Sequence, residues 1–157
     1  MKRKEWLEKW SMKSLKIKAP FLEAEFGPSD PDKNAAWDLY IELLTRIATQ
    51  ELGDGEGVEK TALDSVYSIF GTTRAILKEH GRGCSEFAII AIVVLNQKIR
   101  PFTAKWHKIS STGGFNERAN KQQFREELGK LQETLRTYSK MLADMADVED
   151  LTELEDA

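Results

Sequence analysis

The chain has 157 residues, 41% of them hydrophobic, and a formal net charge of −3. That length suits one domain, able to bury about two-thirds of the surface its unfolded form exposes and needing no staple to fold. Its single cysteine, Cys84, excludes an internal disulfide and a cysteine-rich zinc site and points to a reducing compartment, so the expected location is cytoplasmic.

Charge is segregated along the chain. Residues 1–18 carry +5, residues 19–97 carry −7, residues 98–140 carry +6 and residues 141–157 carry −7. The N-terminus begins with Lys2, Arg3 and Lys4, but Glu8, Lys9, Lys13 and Lys16 interrupt any apolar h-region, so a signal peptide is not expected. Trp6 and Trp10 lie four apart, as on a helix, whereas Leu15, Ile17 and Ala19 alternate, and Pro20 disfavours the α region at Ala19. The pattern predicts a short basic helix followed by an extended segment that lays Phe21, Leu22 and Phe26 on the rest of the fold. Glu5 and Glu8 dilute the cationic face, so Trp6 and Trp10 are expected against the bundle or a partner rather than a membrane surface.

Gly27 to Pro31 is turn chemistry, with Asp30 as the expected cap and Pro31 at the first helical position. Helix one is predicted over residues 31–52, with Trp37, Ile41, Leu44, Ile47 and Ala48 on its apolar stripe, ending in the glycine- and acid-rich loop 53–57. Helix two is predicted over residues 58–80. Its apolar face is Ala62, Val66, Ile69, Thr73, Ile76 and Leu77, Gly81 is its stop, and Gly71 suggests a close helix crossing. Helix three, residues 85–109, is expected at the centre of the fold because residues 87–95 are apolar on all sides. That run is nine residues, far below the roughly 20 that span a bilayer, so no membrane span is expected. Pro101 predicts a kink near Asn96 and Gln97.

Helix four, residues 116–145, repeats Phe124, Leu128, Leu131, Leu135, Tyr138, Leu142 and Met145 at heptad spacing, the signature of left-handed, roughly antiparallel packing. The expected fold is therefore all-α, a single-domain antiparallel four-helix bundle. Residues 1–145 form the bundle domain, within which residues 1–30 are a basic N-terminal segment packing on the bundle, and residues 146–157 are a frayed acidic tail. Opposite charge on helix four suggests that this tail covers part of the basic surface.

The candidate chemistry is sparse. His80, Arg82 and Cys84 gather a base, a cation and a thiol beside a helix N-terminus, where a thiol pKa can fall, although the same residues also read as a dipole-stabilising histidine, a turn and a packed cysteine. Neither His80 nor His107 follows a carboxylate by three residues, so a di-iron bundle site is not expected, and no phosphate-binding glycine motif occurs. No cofactor or metal is expected. Residues 98–108 interleave cations with aromatics, and helix four extends the basic surface. Such a mixture suits phosphate contact and base stacking, which marks Lys98, Arg100, Lys105, Trp106, His107, Lys108, Arg118, Lys121 and Arg125 as candidate partner or nucleic-acid contacts. Phe102 and Trp106 equally read as core residues on the seam with Ile99 and Ile109.

Three functions fit. The first is a non-enzymatic helical protein–protein interaction module or accessory subunit of a bacterial multi-component complex, with a protein partner. The others are a small subunit that binds single-stranded nucleic acid through residues 98–140, and an enzyme centred on Cys84 or His107.

Overall fold

The computed structural model describes residues 1–46 and 58–156. The expected stripe positions Ile47 and Ala48 and the 53–57 loop lie outside the described residues. The described residues are all-α: α1 (Arg3–Lys9), α2 (Ala19–Glu23), α3 (Asp30–Leu44), α4 (Val58–His80), α5 (Ser85–Val94), α6 (Arg100–Ser111) and α7 (Arg118–Ala146), with short 3-10 turns at Gly81–Cys84, Gly114–Asn116 and Thr152–Asp156. An isolated antiparallel bridge pairs Lys2 with Glu25, and no strand forms among the described residues.

The N-terminal segment departs from its expected course. Residues 19–23 are helical rather than extended, because Pro20 lies in the first turn, where its missing N–H has no helical acceptor to lose. Phe21 is consequently exposed, while Leu22 is half-buried and Phe26 stacks on Trp6 with ring centroids 4.2 Å apart. Trp6, Leu7, Met12 and Leu15 are buried. The buried Arg3 side chain meets Glu86 at 2.6 Å and also donates to the Phe21 carbonyl, and Glu86 accepts the Gly27 N–H at 3.1 Å. The indole of Trp6 donates to Asp144 at 2.7 Å, joining this segment to the end of α7.

Helix α3 is capped by Ser29, not by the expected Asp30. Asp32 closes a reciprocal capping box with Ser29, and its second oxygen accepts the Phe87 N–H at 3.0 Å near the start of α5. The buried face of α3 is Ala35, Ala36, Leu39, Tyr40 and Leu43, which leaves the expected stripe residues Trp37 and Ile41 40% and 36% exposed. The two alanines let neighbouring helices approach α3, which packs most extensively on α7 and also on α4 and α5.

Helix α4 buries Ala62, Val66, Ile69, Thr73 and Ile76, and Gly81 ends it at φ +67°, a left-handed conformation that costs glycine nothing. Among the described residues no close crossing occurs at Gly71, around which a Cβ would meet nothing within 4 Å. Between α5 and α6 the backbone adopts one π turn, Leu95–Ile99, across the position where a kink was expected, and Pro101 sits in the first turn of α6. At the far end of α6, Gly114 lies so close to Ile109 that a Cβ would come within 2.7 Å of that residue's carbonyl oxygen, and the chain reverses there into α7. All seven heptad residues of α7 are buried, as are Phe87, Ile90, Val94 and Leu95.

The segment 85–94 is not enclosed on all sides. Phe87, Ile90, Ala91 and Val94 point into the core, whereas Ile92 is 47% exposed and Ala88, Ile89 and Val93 are half-buried. One window within Val58–Ser111 is long and apolar enough, by length and composition, to cross a membrane, and under half of it is buried.

The acidic tail turns at Asp147, φ +58°, and docks on α3: Tyr40 donates to Asp150 at 3.1 Å and accepts the Leu151 N–H, and Thr152 is buried. Asp144 likewise faces Trp6 and Lys9. These two acids thus engage α3 and the N-terminal segment, with Lys140 the cation of the basic stretch whose charge reaches Asp150.

Replacing Leu131 by alanine should cost about 2–5 kcal/mol through lost burial and the cavity left behind, read as a lower urea midpoint; an unchanged midpoint would place Leu131 at the surface. A second expectation concerns acid. Partial burial works to raise the Asp150 carboxyl, but hydrogen bonds from Thr152 and Tyr40 and the charge of Lys140 outweigh it and hold the group below its ordinary value of 3.8. A depressed carboxylate adds stability above its unfolded pKa and loses it as pH falls through the folded value. Amide protection at Leu151 and Thr152 should therefore persist at neutral pH and be lost only in acid below the ordinary carboxyl value of 3.8, and protection independent of acid would contradict that docking.

Candidate functional site

The basic stretch divides by helix face. Trp106 is fully buried in an aromatic cluster, edge-on to Phe124 at 5.2 Å and stacked with Phe115 at 5.9 Å, so the indole offers no face to a base. Phe102 is buried beside it, 5.4 Å from Phe124. His107 packs edge-on against Tyr67 at 4.9 Å, with its Nε2 enclosed and unpaired among the described residues. Several cations are already committed. Lys105 pairs with Glu127 at 2.6 Å, Arg125 with the buried Glu59 at 3.1 Å, and Lys98 donates to Ser14 at 2.8 Å. Arg100 donates to Asn96 at 3.1 Å and lies 4.9 Å from the Phe70 ring. Lys108 and Arg118 are exposed and Lys121 half-buried, while Lys98 and Lys105 line one cleft with Phe102, Lys130 and Leu131.

Nor is the thiol an activated one. Cys84 is 2% exposed and donates to the Gly81 carbonyl at 3.1 Å; burial, with the charge of Asp32 second, pushes its pKa up. A thiol held protonated is a poor nucleophile. His80 turns the other way, to Asp38 at 2.6 Å. Asp38, Glu79 and His80 bring potential ligand atoms within 4.8 Å of one another, beside a cleft of about 510 Å³ between α3 and α4 lined by Trp37, Ile41, Thr72 and Glu79. The hydrogen bond between His80 and Asp38 near the C-terminus of α4 accounts for the closeness of those two.

A strongly apolar concavity lies elsewhere. A cleft of about 490 Å³ runs along the outer face of α5, where Ala88, Ile89, Ile92 and Val93 form the floor and Ile17 and Phe21 the opposing wall. Almost all of the exposed lining is carbon. The wall is fixed: Gln97 exchanges two 2.7 Å hydrogen bonds with the backbone of Lys16, and Arg3 holds the Phe21 carbonyl. Lys16 and Lys18 stand at the rim. Sequence reasoning missed these residues; the available signal was an apolar run too wide for the single helix face that a bundle buries.

Because burial raises the Cys84 pKa, alkylation by iodoacetamide should stay slow in the folded protein even near pH 8.5, where a free cysteine is half ionised, and accelerate sharply on denaturation; equal rates in both states would restore a reactive thiol. No protein-family model, curated protein or solved structure matches the chain.

Proposed function

We propose that the chain is a non-enzymatic helical protein-interaction module, an accessory subunit that presents the outer face of α5 to a protein partner. The observation that carries this reading is the uncovered apolar cleft of α5. Ile92 and Phe21 are 47% and 48% exposed and line the same apolar cleft, and exposed apolar side chains grouped in one concavity, unlike ones scattered singly, favour an interaction site. The groups that could have supported catalysis are used structurally, with Cys84 buried and His80 tied to Asp38. The nucleic-acid reading is weakened in the same way by Trp106, Lys105 and Arg125. In architecture, we read the long segments α3, α4, α5 with α6, and α7 as the four members of an antiparallel bundle. The heptad seam of α7 and the tight reversal at Gly114 support this. A cytoplasmic setting fits the lone free Cys84.

The test is a paired capture from the native host with the wild-type chain and Ile92→Glu, a substitution at a half-exposed position that should leave the denaturation midpoint within about 1 kcal/mol of wild type. A partner retained by wild type and lost with Ile92→Glu is expected, and should reproduce with the purified partner. Partners retained equally by both would contradict the reading.

A further inference from the structure

Resting on that interaction reading, we infer that the α5 cleft takes an amphipathic α-helix whose apolar ridge is flanked by carboxylates. Three observations select this occupant. The first is charge. Lys16 and Lys18 rim the cleft, and neither makes an ion pair or hydrogen bond through its side-chain ammonium among the described residues. The acids nearest in sequence to the lining residues are engaged among the described residues: Glu86 by Arg3 at 2.6 Å, Glu23 by Lys2 and Lys4 at 2.8 and 3.2 Å, and Glu25 by the N-terminal ammonium at 3.3 Å. The unmatched charge at the mouth is therefore positive, and an acidic partner is steered to it.

The second is the polarity of the walls. The floor is a helix whose backbone groups are already bonded, and the cleft exposes almost no polar surface. An extended peptide laid there would bury N–H and C=O groups with nothing to pair them, which is costly, whereas a helix arrives with its backbone satisfied. No free sheet edge exists among the described residues to accept a strand. The third is shape. Ile17 and Phe21 rise opposite Ile89 and Ile92, so the surface is concave and receives a ridge of side chains, while a bilayer surface is entered by side chains that project.

The experiment displays a library of random peptides about 20 residues long, enough to hold a helix when docked, and selects it on the full wild-type chain with counter-selection on Ile92→Ser. The enriched peptides should show apolar residues at helical spacing with Asp and Glu beside them. Their affinity by fluorescence anisotropy should fall at least about tenfold for Ile92→Ser and for the double variant Lys16→Glu with Lys18→Glu, and the loss in the double variant should be larger at about 0.01 M salt than at about 0.15 M. The double variant should in turn select Lys- and Arg-flanked helices. Circular dichroism of each variant checks that it folds as wild type. Enriched peptides with no acidic bias, or with proline-rich extended sequences, would overturn the proposal while leaving the interaction module standing. No enrichment at all would overturn it too. Anionic phosphatidylserine vesicles bound by wild type and lost with Ile92→Ser, in place of peptides, would assign the cleft to a membrane surface. Sedimentation showing a dimer that Ile92→Ser dissociates would assign it to a second copy.

Discussion

The arrangement depends on a buried ion pair. Arg3 and Glu86 lie 83 positions apart in sequence, their side chains 7% and 6% exposed, with Nε and Oε2 2.6 Å apart. Two charges withdrawn from water are tolerated only when every lone pair and proton finds a partner. Here Glu86 also accepts from Gly27 and Arg3 also donates to Phe21. The pair therefore does more than neutralise itself: it pins the residue 21 and residue 27 backbones to the first turn of α5, where a carboxylate is favoured by the helix dipole. Asp32 works beside it, closing the cap of α3 with one oxygen and accepting the Phe87 N–H with the other. Two buried carboxylates thus bring the N-terminal segment, α3 and α5 to one junction.

The cleft follows from that junction. Once Arg3 and Gln97 hold the N-terminal segment at its two ends, residues 16–21 stand off from α5 instead of collapsing over it. Phe21 and Ile17 become a wall, and Ile92 stays in solvent. A chain with other apolar side chains available could have closed this face, yet the aromatic residues that might do so are spent elsewhere: Trp6 stacks on Phe26, and Phe102, Trp106, Phe115 and Phe124 pack on one another between α6 and α7. The residues of the enzyme-like string are likewise engaged in local contacts. Cys84 fills a gap behind Gly81, and His80 stabilises the end of α4 through Asp38.

The sequence was most informative where a repeat speaks for itself. Phe124 through Met145 recur at a period that only a helix with one buried seam satisfies, and α7 is that helix. Local chemistry also served well at Gly81, whose position after a long periodic run marks a stop. It failed on α3, because Trp37 and Ile41 are more hydrophobic than Ala35 and Ala36, and side-chain size misled the choice of stripe: small residues at the face that meets α7 matter for close approach rather than for transfer energy. It failed again on α5, since an apolar run says that a helix avoids water without saying what covers it. The Arg3–Glu86 contact had no local signal, and the apolar run of α5 did not show which residues would wall the cleft. The basic stretch illustrates the reverse problem, with Lys105 and Arg125 legible as cations while Glu127 and Glu59, which engage them, come from other helices.

The most direct measurement is a titration of the isotope-labelled isoleucine methyl groups with the captured partner, followed by NMR. Binding through the α5 cleft predicts shifts confined to Ile17, Ile89 and Ile92, with Ile41 and Ile76 in the α3–α4 cleft unchanged. Shifts at Ile41 and Ile76, or at Ile109 beside the basic stretch, with Ile17, Ile89 and Ile92 silent, would contradict the account.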